Sequence, residues 1–186
     1  MDLEKERMYY AGSELPLDGK GFGGLYQDGF YINYLHGLDF LCRKHINKET
    51  KVLELGSFNG VSSELFSKYS NHVTSVDIEL YPEMEKVIKR CGINFVQNNS
   101  ISYLNSIVVG MYDLIYLDTT HGYYDTLNEL KNIYYKLNTN QVLCGHDYNS
   151  QGVSSAINDL FQYPDIEIYL DGSWSIIKNN RLILKK

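Results

Sequence analysis

No stretch of this chain approaches the roughly 18–20 continuous apolar residues of a membrane span, so no membrane association is expected. The first residues, Met1 to Arg7, have neither an apolar core nor a cleavage signature, which argues against secretion. Cysteine is scarce. Cys42, Cys91 and Cys144 are odd in number and widely spaced, unlike a disulfide framework or a zinc site, so reduced thiols in a cytoplasmic protein are expected. Positive charge is short as well. With 17 Lys and Arg against 23 Asp and Glu the net charge is −6, which argues against broad electrostatic attraction to nucleic acid. Repeats and low-complexity tracts are absent.

What remains is the composition of an ordinary globule, 44% hydrophobic and 22% charged over 186 residues, enough for one domain with a sizeable core. The 17 tyrosines suggest stacking on sugars or bases, but Tyr, Asn, Ile and Lys are plentiful together, and the count carries little weight. Glycines cluster between Leu15 and Gly29, where the chain is expected to form a mobile loop, either a lid or a plain leader. The apolar spacing of Tyr31, Tyr34, Leu35, Leu38 and Leu41 predicts an amphipathic helix over Phe30–His45. Residues 1–46 thus read as an N-terminal lid or substrate segment with a helix, and 47–186 as a single globular unit.

From Lys51 onward strand-like and helix-like runs alternate. Strands are predicted at Val52–Leu55, His72–Ile78, Asn94–Gln97, Asp113–Leu117, Gln141–Gly145, Glu167–Leu170 and Trp174–Lys178, the last continuing toward Leu182–Leu184. Helices are predicted at Val61–Tyr69, Pro82–Cys91, Ser102–Val108, Tyr124–Leu137 and Val153–Gln162. That alternation implies an α/β fold, a mostly parallel sheet with helices on both sides. Asp171-Gly172 between the last two long runs signals a hairpin, so the sheet should end antiparallel.

The densest signal is Lys51-Val-Leu-Glu-Leu-Gly-Ser-Phe-Asn-Gly60: a buried strand, a tight turn and a helix N-terminus. Gly56 and Gly60 are expected to let backbone approach a ligand. The spacing is E-x-G-x-x-x-G, not the G-x-G-x-x-G of nicotinamide enzymes. Asp77 stands 21 residues past Gly56, where an acid can accept hydrogen bonds from both ribose hydroxyls, with Glu79 as its rival. Asn99 and Ser100 close the third strand and could meet a base or cap the next helix. Glu54 and Ser57 would lie near the other end of the ligand. Asp118 and His121 follow the fourth strand, and His146 and Asp147 the fifth; these strand ends should open onto one cleft. Asp118, His146 and Asp147 there suit a divalent cation, with His121 near the same substrate.

The glycine pattern resembles that of class I methyltransferases, which bind S-adenosylmethionine, and the late hairpin fits their Rossmann-like sheet. The segments DLIYLDTTHGYYDTLNEL and QVLCGHDYNSQGVSSAINDL resemble the metal-dependent O-methyltransferases of the macrocin O-methyltransferase type, and more distantly catechol O-methyltransferase. The resemblance covers about Lys51 to Lys186. It implies cofactor contacts from Glu54, Gly56, Ser57, Gly60, Asp77, Asn99 and Ser100. It also implies magnesium or manganese held by Asp118, His146 and Asp147, and His121 as general base. Two departures stand out: His146 replaces the usual acid or amide, and Asp118-Thr-Thr-His121 replaces Asp-Gly-Asp-His. The expected activity is methylation of a hydroxyl, on a sugar or glycan, with the glycine segment closing over the site. A catechol-like phenol acceptor and a binding module that has lost catalysis are the alternatives. Base methylation of nucleic acid is disfavoured because Asp-Pro-Pro-Tyr-like residues are missing after the fourth strand. Homo-oligomerisation is possible.

Overall fold

Val52, Leu53 and Leu55 have no solvent-exposed surface, so the apolar run before the glycine turn forms the middle of a sheet rather than its edge. A computed structural model describes residues 24–27, 30–33, 35–162 and 164–185. The central strand β3 (Lys51–Leu55) follows a hairpin of β1 (Gly24–Gln27) and β2 (Phe30–Asn33). Beside β3 lie β4 (His72–Asp77), β5 (Asn94–Gln97), β6 (Leu114–Leu117) and β7 (Val142–Gly145). The short β8 (Phe161–Gln162) precedes β9 (Ile166–Ile168) and β10 (Trp174–Ile177), and β11 (Ile183–Leu184) ends the series. The seven-stranded sheet has the order β5-β4-β3-β6-β7-β10-β9. Its first five strands are parallel; β10 runs antiparallel to both β7 and β9.

Period-two alternation sends neighbouring side chains to opposite faces, and both faces are covered. Helices α1 (His36–His45), α2 (Val61–Tyr69) and α3 (Pro82–Cys91) pack on Val52, Leu114, Tyr116 and Cys144. Helices α4 (Ser100–Ser106), α5 (Tyr123–Lys136) and α6 (Gln151–Leu160) pack on Leu53, Leu55, Ile115 and Leu143. None of the helices among the described residues is long and apolar enough to cross a membrane.

The two ends of the expected pattern differ from the structure. The helix predicted from Phe30 starts at His36, because residues 30–33 pair with 24–27 across Asp28-Gly29. Asp-Gly is the same hairpin signal that marks the later turn, and it outweighs a helical spacing of tyrosines. The rest of the proposed lid, residues 15–23 and 28–29, lies outside the described residues. The final strand stops at Ile177, and Ile183–Leu184 pair instead with Phe161–Gln162 in a separate two-stranded sheet.

Helix α1 belongs to the main core: Leu41 and Cys42 are fully buried. The late hairpin staples it at both ends. At its start the buried Asp171 carboxylate accepts from Leu38 N at 3.0 Å and from Ser173 N at 2.8 Å. A Cβ on Gly37 would strike that carboxylate. At its end Lys44 pairs with Glu167, and His45 lies 3.5 Å from Ser175 Oγ.

Candidate functional site

The chain switches direction between β3 and β6, the place where open α/β sheets hold ligands. At that point Gly56 adopts φ 88°, and a Cβ there would stand 1.9 Å from the Asp118 carbonyl oxygen. The turn is bonded to both neighbours, Gly56 N to Val76 O and Asp118 N to Leu55 O, each at 2.9 Å. Glycine is therefore demanded by the protein's own backbone, and the same turn lines the cleft. Gly60, at φ 82°, plays a different part from the one expected of it. It does not line the cleft; a Cβ there would meet Met84 Sδ at 2.5 Å, so it lets α2 press against α3.

Glu54 is likewise displaced from its expected place. It has no exposed surface and faces away from the cleft, because strand alternation points it under α2. Its carboxylate accepts hydroxyls from Ser62, Ser63 and Ser75. Burial raises its pKa to about 7, against the three hydroxyl bonds, with the charge of Asp118 adding to the rise.

The cleft itself encloses about 740 Å³. On the β4–β5 side Asp77 lines it and Glu79 does not. One Asp77 oxygen accepts from Phe58 N at 2.8 Å, tying the glycine turn to the end of β4. Ser57 lines the same region, 3% exposed, with a buried hydroxyl that has no hydrogen-bond partner. Asn99 caps α4, its Oδ1 accepting from Ile101 N at 3.0 Å and Ser102 N at 3.3 Å. Ser100 donates to Glu129 Oε1 at 2.5 Å, and Thr119 donates to Glu129 Oε2 at 2.6 Å.

Across the cleft, the ends of β6 and β7 bring three groups together. His121 Nε2 lies 3.0 Å from Asp118 Oδ1 and 3.1 Å from Asp147 Oδ2. Tyr116 OH donates to the other Asp118 oxygen at 3.2 Å. His121 and Asp147 both hold φ 58°, a left-handed conformation uncommon outside glycine and found disproportionately at functional sites. Gly152 at the start of α6 lets that helix seat against the His121 carbonyl, which its Cβ would otherwise meet at 2.2 Å. The bond to Asp118 raises the His121 pKa against partial burial, with further help from the charge of Asp147.

His146 stands outside this trio. Its Nδ1 contacts Asp147 Oδ2 at 3.2 Å from behind, and its carbonyl accepts from Trp174 Nε1 at 3.0 Å. Burial works against its charge, yet the bond to Asp147 and the charges of Asp171 and Asp118 push its pKa to about 9. The grouping with the reach of a cation site is Asp118, His121 and Asp147, whose ligand atoms lie within 4.8 Å of one another. His121 thus takes the place the sequence reading assigned to His146. Past the end of β7 the left-handed backbone of Asp147 sets its side chain in reach of Asp118 and His121.

No protein-family model and no curated protein matches the chain. Solved structures do. The TDP-rhamnose 3'-O-methyltransferase of calicheamicin biosynthesis superposes with TM-score 0.59 at 15% identity, over 78% of this chain and 79% of that one. The O-methyltransferase TomG of Streptomyces achromogenes, in complex with S-adenosylmethionine, gives 0.56 at 13%, over 76% and 78%. An rRNA methylase from Streptococcus thermophilus gives 0.56 at 12%, over 76% and 93%. This is the class I methyltransferase fold.

In this methyltransferase fold the cleft runs from Asp77 past the glycine turn to Asp118, His121 and Asp147. Of the residues singled out from sequence, Gly56, Ser57, Asp77, Asn99, Ser100, Asp118, His121, His146 and Asp147 line it; Glu54 and Gly60 do not. Glu129 and Tyr116 were overlooked. The one signal for Glu129 was an acid beside Leu130 on the buried face of a helix. Tyr116 looked like any other apolar strand residue.

Proposed function

We propose that the protein transfers a methyl group from S-adenosylmethionine to a hydroxyl of a small molecule or glycan, with a divalent cation, magnesium or manganese, beside Asp118 and Asp147. The observation that carries this reading is the His121 ring seated between two carboxylates at the ends of adjacent strands, across the cleft from Ser57 and Asp77. The cleft fits the cofactor: a buried unpartnered hydroxyl at Ser57, a strand-end acid at Asp77, and amide and hydroxyl groups at Asn99 and Ser100. When bound, the cofactor supplies a sulfonium-activated methyl, whose C–S bond breaks as the new C–O bond forms. Asp118 and Asp147 would hold the cation, whose chemistry there is to acidify a coordinated hydroxyl. His121 Nε2, once turned from the carboxylates it now bridges, would receive the hydroxyl proton. His146 steadies Asp147 from behind.

One observation favours a second reading, transfer without metal. His121 Nε2 already bridges the two carboxylates, so they are held together without an ion, and His121 remains the candidate base. A module that binds cofactor without turnover is the non-enzymatic rival.

Calorimetry of S-adenosylmethionine, with and without magnesium or manganese, on wild type and Asp118→Ala separates these. Cofactor and ion both binding to wild type, with only the ion lost in the variant, supports the metal-assisted reading. Cofactor alone supports the metal-free one. Binding of neither would sink both. Methyl transfer to a panel of glycosides and phenols then tells an enzyme from a binding module.

A further inference from the structure

Five carboxylates line the cleft: Asp77, Asp118, Asp125, Glu129 and Asp147. Of the 17 lysines and arginines, four (Lys5, Arg7, Lys20 and Lys186) lie outside the described residues, and none of the others lines it. Several are committed elsewhere: Arg43 to Asp39, Lys44 to Glu167, Arg90 to Glu64, and Lys178 to the carbonyls of Tyr134 and Leu137. The acids are spread over both walls. Asp77 sits at the end of β4, Asp118 and Asp147 at the ends of β6 and β7, and Asp125 and Glu129 on α5. The unpartnered Ser57 hydroxyl, nearly buried in the same cleft, independently marks it as shaped for a ligand.

A divalent cation beside Asp118 and Asp147 would return two positive charges to this wall. A third comes from the sulfonium cofactor. The acceptor still faces a net negative surface in a concave site, where field lines concentrate. A phosphate or carboxylate on the acceptor would meet like charge with none of the described lining side chains to answer it except the histidines. An amine would find Asp125 on the exposed first turn of α5.

We propose that the cleft selects acceptors without phosphate or carboxylate groups, and takes neutral or amine-bearing hydroxyl compounds. Nucleotide-linked sugars and RNA, both polyanions, fall outside this class. The acceptor part rests on the methyltransferase reading; the charge selectivity of the cleft does not.

The test places a thiol on the exposed cleft residue Asn128 as Asn128→Cys in a Cys91→Ser background, leaving only the buried Cys42 and Cys144. Its reaction rates with aminoethyl and sulfonatoethyl methanethiosulfonate are compared, each relative to 2-mercaptoethanol. A change in thiolate fraction affects both reagents equally, so the ratio reports the local field alone. The cation should be favoured at least tenfold, and Asp125→Asn with Glu129→Gln should reduce that preference several-fold. A preference below tenfold would overturn the proposal. So would saturable protection of the thiol by inorganic pyrophosphate against a neutral methanethiosulfonate. Cofactor binding by calorimetry on the same variant is read separately. A cleft that binds cofactor without cation preference refutes the acceptor class while leaving methyl transfer standing. A cation preference without cofactor binding leaves the charge selectivity of the cleft standing and refutes both methyl transfer and the acceptor class.

Discussion

Replacing Glu54 by glutamine should flatten the dependence of folding stability on pH. The folded carboxyl is fully buried and holds its proton up to about pH 7, against 4.5 for an ordinary glutamate. Between those values the folded protein binds more protons than the unfolded chain, so stability falls as pH rises through the window and levels off above pH 7. The displacement from 4.5 to about 7 corresponds to about 3 kcal/mol lost between pH 4 and pH 8. Glutamine keeps the shape and an acceptor for the serine hydroxyls but has no proton to lose. Urea unfolding of both proteins at pH 5, 6, 7 and 8 isolates the effect, since every other group cancels in the difference. The glutamine variant should gain steadily on wild type, by about 2–3 kcal/mol from pH 5 to pH 8. Parallel curves would refute the reasoning, showing that the hydroxyl bonds outweigh burial and keep Glu54 ionised throughout.

Other substitutions probe the turn, the proposed chemistry and the staple. Gly56→Ala should abolish folding or cost more than about 3 kcal/mol, because rigid backbone lies where its Cβ must go. Gly60→Ala should cost roughly 1–2 kcal/mol, since Met84 can swing aside and only the left-handed strain remains; equal losses in chemical denaturation would contradict this ranking. His121→Asn should lower methyl transfer by about 10²-fold or more with cofactor affinity unchanged in calorimetry; a matching loss of affinity would remove His121 from the chemistry. Asp171→Ala should cost about 2 kcal/mol and raise hydrogen exchange at the Leu38 amide by a matching factor. Unchanged exchange there would mean the staple contributes nothing.

The parallel core was legible because its signals are local. Pro82 opens α3 and Gly92 ends it in a left-handed cap, so that helix lies where its punctuation puts it. The glycine turn and the two acid-bearing strand ends were legible for the same reason. Side-chain direction was harder to read. Glu54 and Ser57 sit three residues apart in one motif, yet the first points under α2 while the second, past the Gly56 turn, lines the cleft. His121 rather than His146 groups with Asp118 and Asp147 because the left-handed backbones at His121 and Asp147 re-aim side chains in a way residue order does not record. Glu129 was invisible because its partners, Ser100 and Thr119, come from two other segments.

The capping of helix α1 by Asp171 has a temporal side. Leu38 and its capping acid are 133 positions apart. At about 5–20 residues per second of synthesis, the helix waits roughly 7–27 s before the carboxylate that finishes its first turn exists. Throughout that interval α1 has no strand β10 beside it. Docking of this helix should therefore be a late event on the ribosome, and its apolar stripe the part of the nascent chain most in need of a chaperone.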